Sequence, residues 1–122
     1  LVEVDAPEPV PASFDAGGIR QAIDNLLGNA VKYGPEGGTV RVLVRRDDGL
    51  ARVLVHDDGP GIPAEERERV FEPFERGPSR KVEGAGLGLA IVREVATGHG
   101  GRAYVAEGAG GNVVVEIPAR AP

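Results

Sequence analysis

At 122 residues, 41% hydrophobic and only 4% aromatic, the chain suits one domain, 1–122, with a core of Val, Leu, Ile and Ala. Its net charge of −5 argues against nucleic-acid binding, and the lack of Cys removes disulfide and thiolate chemistry. No apolar run approaches the ~18 residues of a membrane span, so no direct membrane contact is expected, and the absence of Met reads as a piece cut from a longer protein.

Residues 1–13 are Pro-rich, with Leu1-Val2-Glu3-Val4 reading as an edge strand. Asp15 is placed to cap a helix in which Ile19, Ala22, Ile23, Leu26, Leu27, Ala30 and Val31 form one apolar stripe. Gly34-Pro35-Glu36-Gly37-Gly38 stops it. Residues 39–46 and 50–57 alternate as two strands around the hairpin turn Asp47-Asp48-Gly49. Parity puts Asp57 on the core face with Val53 and Val55 and turns His56 the other way.

Residues 63–70 read as a short helix, with Pro63 in its first turn and Glu65 and Glu66 near its N-terminus. From Phe71 to Glu83 neither period holds, which inside a compact domain marks a functional loop or lid. Another helix is expected over 87–96, ending in Thr97-Gly98-His99-Gly100-Gly101. Two last strands, about 102–107 and 112–117, are joined by Gly108-Ala109-Gly110-Gly111.

Asn is a poor helix-interior residue because its amide competes with the backbone, yet Asn25 and Asn29 sit mid-helix, four apart. Their row continues through Lys32 and Tyr33 along the rim where core meets solvent. An Asn amide oxygen can ligate a magnesium ion held mainly by phosphate oxygens and water, with Lys32 as counter-charge. Two Asn on a solvated face would have the same spacing. Asp57-Asp58-Gly59-Pro60-Gly61 ends a strand with an acceptor for a planar amine, then glycines that let a base approach the backbone. An ordinary Asp-Gly turn reads alike.

Gly84-Ala85-Gly86-Leu87-Gly88-Leu89 opens a helix with free N–H groups that can cradle phosphates. It lacks the spacing of a dinucleotide fingerprint, and no P-loop ending in Gly-Lys-Ser/Thr is present. His56 and His99 read as structural, and Phe71 and Phe74 as loop anchors. No metal-ligand cluster, nucleophile elbow or paired-carboxylate site appears in the sequence.

In this order the segments resemble the N, G1, F and G2 boxes of the catalytic and ATP-binding domain of bacterial sensor histidine kinases. That family belongs to the GHKL superfamily, with gyrase, the heat-shock chaperone ATPases and MutL. Asn25–Tyr33 matches the N box, Asp57–Gly61 the G1 box, Phe71-Glu72-Pro73-Phe74 the F box and Gly84–Leu89 the G2 box, so the resemblance covers 15–118. It implies a two-layer α/β sandwich of the Bergerat type: a mixed, mostly antiparallel sheet covered on one face by three helices. Residues 71–88 would form a long ATP lid.

The resemblance implies ATP and Mg²⁺ as cofactors. Asn29 would ligate the metal, and Lys32 would meet phosphates together with one or more of Arg76, Arg80 and Lys81. Tyr33 would flank the base or ribose. Asp57 would accept from the adenine amine, with Gly59, Gly61 and Ile62 beside the base. Gly84, Gly86, Leu87, Gly88 and Leu89 would line the phosphate side. Asn25, Asn29 and Lys32 make up the implied catalytic set. Where ATP-hydrolysing relatives carry a Glu as general base, Asn25 offers a neutral amide that cannot take a proton from water. Transfer rather than rapid hydrolysis is therefore expected. One departure stands out: Gly111-Asn112-Val113 occupies a place where Thr is often found.

The implied partners are a dimeric phosphoacceptor His domain of the same full-length protein and a response regulator. The fragment alone is expected not to phosphorylate itself. A cytoplasmic location beneath a membrane-anchored parent follows from the same resemblance, and the Ala/Gly/Val/Arg-rich composition suits an actinobacterial source. A nucleotide-sensing binding module is the non-enzymatic alternative, separated by phosphotransfer to an added His domain. An anti-sigma-factor Ser/Thr kinase is a third, separated by the acid lability of the phosphorylated product.

Overall fold

The computed structural model describes residues 2–6, 16–33, 38–72 and 88–118. Five strands form one sheet: β1 (Val2–Asp5), β2 (Val40–Asp47), β3 (Leu50–Asp57), β4 (Arg102–Val105) and β5 (Gly111–Pro118), in the order β1-β2-β3-β5-β4. β1 runs parallel to β2, and every other pairing is antiparallel. The helices are α1 (Ala16–Tyr33) and α2 (Gly88–Gly98). The turn between β2 and β3 puts both Asp48 (φ 54°) and Gly49 (φ 78°) in the left-handed region, the twist that a two-residue hairpin favours.

The apolar stripe of α1 explains how the layers meet. Ala22, Leu26 and Ala30 are buried against Val40, Val42, Ala51 and Val55 of the sheet, and Leu89, Val92 and Ala96 of α2 join the same core. β5 contributes Val113, Val115 and Ile117 from alternate positions, as the period of a strand requires. Residues 63–70 differ from the expected single helix. They make two 3₁₀ turns, Ala64–Glu66 and Arg69–Phe71, which supply the third helical segment of the covered face. Only Val70 and Phe71 of this stretch are buried. Two apolar anchors at its end give no stripe on which a longer helix could settle. Asp15 and most of the expected lid lie outside the described residues.

The opposite sheet face carries a buried charge that the sequence pattern did not single out. Glu116 is 1% exposed. Its carboxylate accepts from Arg52 Nε at 2.6 Å, Arg102 Nε at 2.8 Å and the Tyr104 hydroxyl at 2.9 Å. Strand register puts Arg52 and Arg102 on either side of it. Burial pushes the Glu116 carboxyl up, but the bonds from Arg102, Arg52 and Tyr104 outweigh this and hold it below the usual carboxylate range. A carboxyl whose pKa is lower folded than unfolded stabilises the fold above the ordinary carboxylate range and loses that contribution as pH falls through the folded value. We therefore expect Glu116→Gln to cost about 1.5–3 kcal/mol near neutral pH, since one amide end must face an Arg donor. The gap between wild type and variant should narrow on acidification below roughly pH 4. Thermal melts across pH measure it, and a gap independent of pH would contradict it.

Candidate nucleotide site

Chain connectivity gathers the singled-out residues at one end of the sandwich. The C-terminal half of α1 leads through residues 34–39 into β2, whose first residue Val40 pairs with Asp57, the last residue of β3. Asn25 and Asn29 are half-buried on α1, one turn apart. The Asn25 amide nitrogen is buried without a partner. Gly88, the first residue of α2, lies against it: a Cβ there would come within 3.8 Å of Asn25 Oδ1. The α2 N-terminus, where free backbone N–H groups attract anions, therefore faces the Asn row. Lys32 and Tyr33 fall in the last turn of α1. Arg76, Arg80, Lys81, Gly84, Gly86, Leu87 and Phe74 lie outside the described residues.

Asp57 is 9% exposed and points from the strand end toward the helical side, as parity requires. Its Oδ1 accepts from the Gly59 backbone N–H at 2.8 Å, an Asx-type turn that leaves the second oxygen for another donor. Glycines close in around it. Gly61 has φ +81°, and a Cβ there would meet the Gly110 carbonyl oxygen at 2.8 Å. At Gly111 a Cβ would fall 2.5 Å from Asp57 Oδ2, closer than two such atoms can stand. Gly111 pairs with Asp57 in the sheet register, so this glycine occupies the position directly opposite the carboxylate. Ile62 packs against the core. With Gly61, Arg67, Val105 and Gly110 it also lines a depression of about 510 Å³ between the 60–63 turn and the 105–110 segment. Leu89 is buried in the core, so it seats α2 and does not face outward.

Three sets of contacts escaped the sequence reading. His56, set aside as structural, does face away from Asp57, but it bonds to Asn112 and approaches Asp58. Asn112 is a buried polar residue near the start of β5, and an amide just before a run of three valines was the signal available. Gly110 and Gly111 touch Asp57 itself. Phe71 is buried as expected of a loop anchor, with the Arg93 guanidinium stacked 4.4 Å over its ring. His99 bonds through Nδ1 to the Val95 carbonyl at the C-terminal end of α2.

A mostly antiparallel sheet with a buried strand-end carboxylate, an Asn row on the facing helix and a glycine-headed helix beside it defines a Bergerat-type nucleotide-binding sandwich. The chain belongs to the family described as Histidine kinase-, DNA gyrase B-, and HSP90-like ATPase, which matches residues 14–121. Within it, the chain is an ATP-binding catalytic domain of the sensor histidine kinase type. It is 52% identical over 89 residues to the signal transduction histidine-protein kinase/phosphatase MprB of Mycobacterium avium. That match covers 71% of this chain and only 17% of the relative, so the chain spans a small part of the curated relatives it matches.

Among solved structures, a mycobacterial sensor histidine kinase MprB superposes with TM-score 0.86 at 38% identity, covering 99% of this chain and 83% of that one. The ATP-binding domain of PrrB from Mycobacterium tuberculosis gives 0.74 at 30%, covering 98% and 82%. Full-length ShkA in complex with AMPPNP gives 0.79 at 35%, covering 99% of this chain and 26% of that one. Among the described residues no helix is long and apolar enough to cross a membrane.

Proposed function

We propose that this chain binds Mg-ATP and delivers the γ-phosphoryl group to a His on a separate dimerisation domain of the same full-length protein. That His would then pass the group to an Asp of a response regulator. The observation that carries the reading is the Asp57 carboxylate, buried at the strand end with one oxygen committed to the Gly59 N–H. Its second oxygen is left for a donor such as the exocyclic amine of adenine. The ShkA structure holds AMPPNP at 35% identity to this chain, which supports ATP as the ligand here.

The residues of the chain divide the work. Asn29 offers a neutral amide oxygen to magnesium, and no cluster of three His, Cys, Asp or Glu side chains converges among the described residues. The metal would thus be held largely by phosphate oxygens and water, the usual habit of Mg²⁺, and when bound it would neutralise charge on the phosphates. Lys32 and the cations Arg76, Arg80 and Lys81 add counter-charge, and Gly84, Gly86 and Gly88 present backbone N–H groups. Tyr33 and Ile62 flank the base.

In the transfer the bond from the γ-phosphorus to its bridging oxygen breaks, ADP leaves with the electron pair, and the acceptor imidazole nitrogen forms the new P–N bond. Such a step is mostly positioning and charge stabilisation. Asn25 cannot act as a base toward water, so the bound nucleotide is held for transfer. The parent protein would be a membrane-anchored sensor with this domain in the cytoplasm. Calorimetric titration with AMPPNP tests the nucleotide step. We expect one site whose affinity falls when Mg²⁺ is chelated, and no binding, or binding indifferent to Mg²⁺, would overturn the reading.

A further inference from the structure

We propose that His56 and Asn112, on the sheet face away from the nucleotide, form a clamp that positions Asp57 for adenine. The inference rests on the reading of Asp57 as the adenine acceptor. His56 Nδ1 lies 2.7 Å from Asn112 Oδ1, and its Nε2 lies 3.2 Å from Asp58 Oδ1. Asn112 Nδ2 donates to the Ala109 carbonyl at 3.1 Å. These contacts fix one another. A carbonyl can only accept, so the Asn112 nitrogen must face Ala109 and its oxygen must face His56. His56 Nδ1 must then donate to Asn112, and toward Asp58, whose carboxylate can only accept, Nε2 must donate as well.

The clamp ties together the two loops that touch Asp57. On one side is the 58–61 turn, whose Gly59 N–H holds Asp57 Oδ1. On the other is the 106–110 loop leading into β5, where Gly110 and Gly111 press on Asp57: an added Cβ would stand 2.1 Å from its carbonyl oxygen and 2.5 Å from Oδ2, respectively. With no slack between loop and carboxylate, a shift of the loop by a few tenths of an ångström must move the carboxylate. His56 and Asn112 are adjacent in the sheet register, so strand pairing holds the clamp rigid. His56 is a quarter exposed and Asn112 is buried, so the polar contact between them is sheltered from solvent.

The test compares ADP with purine riboside diphosphate, which lacks the 6-amino group, on the same chain at one pH. Wild type should prefer ADP. His56→Ala should lower ADP affinity by about 3- to 10-fold, the range of one net hydrogen bond, and leave the amine-free analogue unchanged. His56→Gln, which can still donate to Asn112, should recover most of the preference. Asn112→Ala should reproduce the His56→Ala loss, and the double variant should lose no more than either alone. If His56→Ala keeps the full preference, or weakens both ligands equally, the clamp is overturned while the Asp57 reading stands. If wild type shows no preference, the Asp57 reading fails and the clamp with it.

Discussion

Asp57→Asn should weaken ADP binding by about 10- to 100-fold, corresponding to the loss of one charge-assisted hydrogen bond of about 1.5–3 kcal/mol. The reason lies in how the two carboxylate oxygens are committed. Oδ1 accepts the Gly59 N–H at 2.8 Å, and the other oxygen is left for the adenine amine. A carboxylate accepts at both ends, whereas an amide accepts at one end and donates at the other. With its nitrogen toward the ligand, the variant sets donor against donor at the adenine amine. With its nitrogen turned inward, it sets donor against donor at Gly59. The free variant can keep its oxygen on the Gly59 N–H, so the mismatch falls on the bound state in either orientation and affinity is lost. Calorimetry on wild type and variant measures the loss, and unchanged ADP affinity would remove Asp57 from the site.

Gly101→Ala should destabilise the fold by about 3 kcal/mol or more, the upper end of overpacking effects. Gly101 follows α2 and donates its N–H to the Ala96 carbonyl at 2.9 Å, closing the helix just before β4. A Cβ there would lie 1.8 Å from the Glu116 carbonyl oxygen and 2.9 Å from the Ile117 Cα. Both are backbone atoms of β5, which is paired on both sides by β3 and β4, so nothing yields without breaking a ladder. The melting temperature should drop by roughly 10 °C or more. Gly98→Ala is the control, since nothing stands within 4 Å of its Cβ position, and it should change stability by no more than a few tenths of a kcal/mol. Similar melting temperatures for the two variants would contradict the packing argument.

Much of the fold was legible because its signals were local and periodic. The α1 stripe, the alternation in β2 and β3, and the turn at Asp48-Gly49 each follow from side-chain spacing, and the structure forms them within a residue or two of the expected bounds. The position of Asp57 was legible for the same reason, since strand parity fixes which face a carboxylate shares. The two 3₁₀ turns at 64–71 were harder to read. Pro63 and two glutamates suit the start of any helical turn, and only tertiary contacts at Val70 and Phe71 decide how far it continues.

The polar links across the open sheet face were not legible at all. Glu116 meets Arg52 and Arg102 only through the β3-β5-β4 order, which no local pattern encodes. The same order brings His56 beside Asn112. A residue judged by its own strand parity looked remote from the candidate site, yet its partner in β5 bonds to the loop that presses on Asp57. Polar residues whose partners are far apart in the chain are thus the ones a one-dimensional reading loses.

Transfer of label from γ-labelled ATP is the measurement that bears most directly on the central claim. The chain is incubated alone, and again with a helical hairpin bearing the phosphoacceptor His of its own parent or of MprB. Transfer requires the nucleophile in line with the γ-phosphate at near-attack distance. Neither His of this chain meets that demand. His56 lies on the face away from Asp57, bonded to Asn112. His99 follows α2 at the end opposite Gly88, and the 11 residues of that helix separate the two ends by about 15 Å. The account predicts no label on the chain alone and acid-labile label on the hairpin His when both are present. Label on His56 or His99, or no transfer to the hairpin by a chain that binds Mg-ATP, would contradict it.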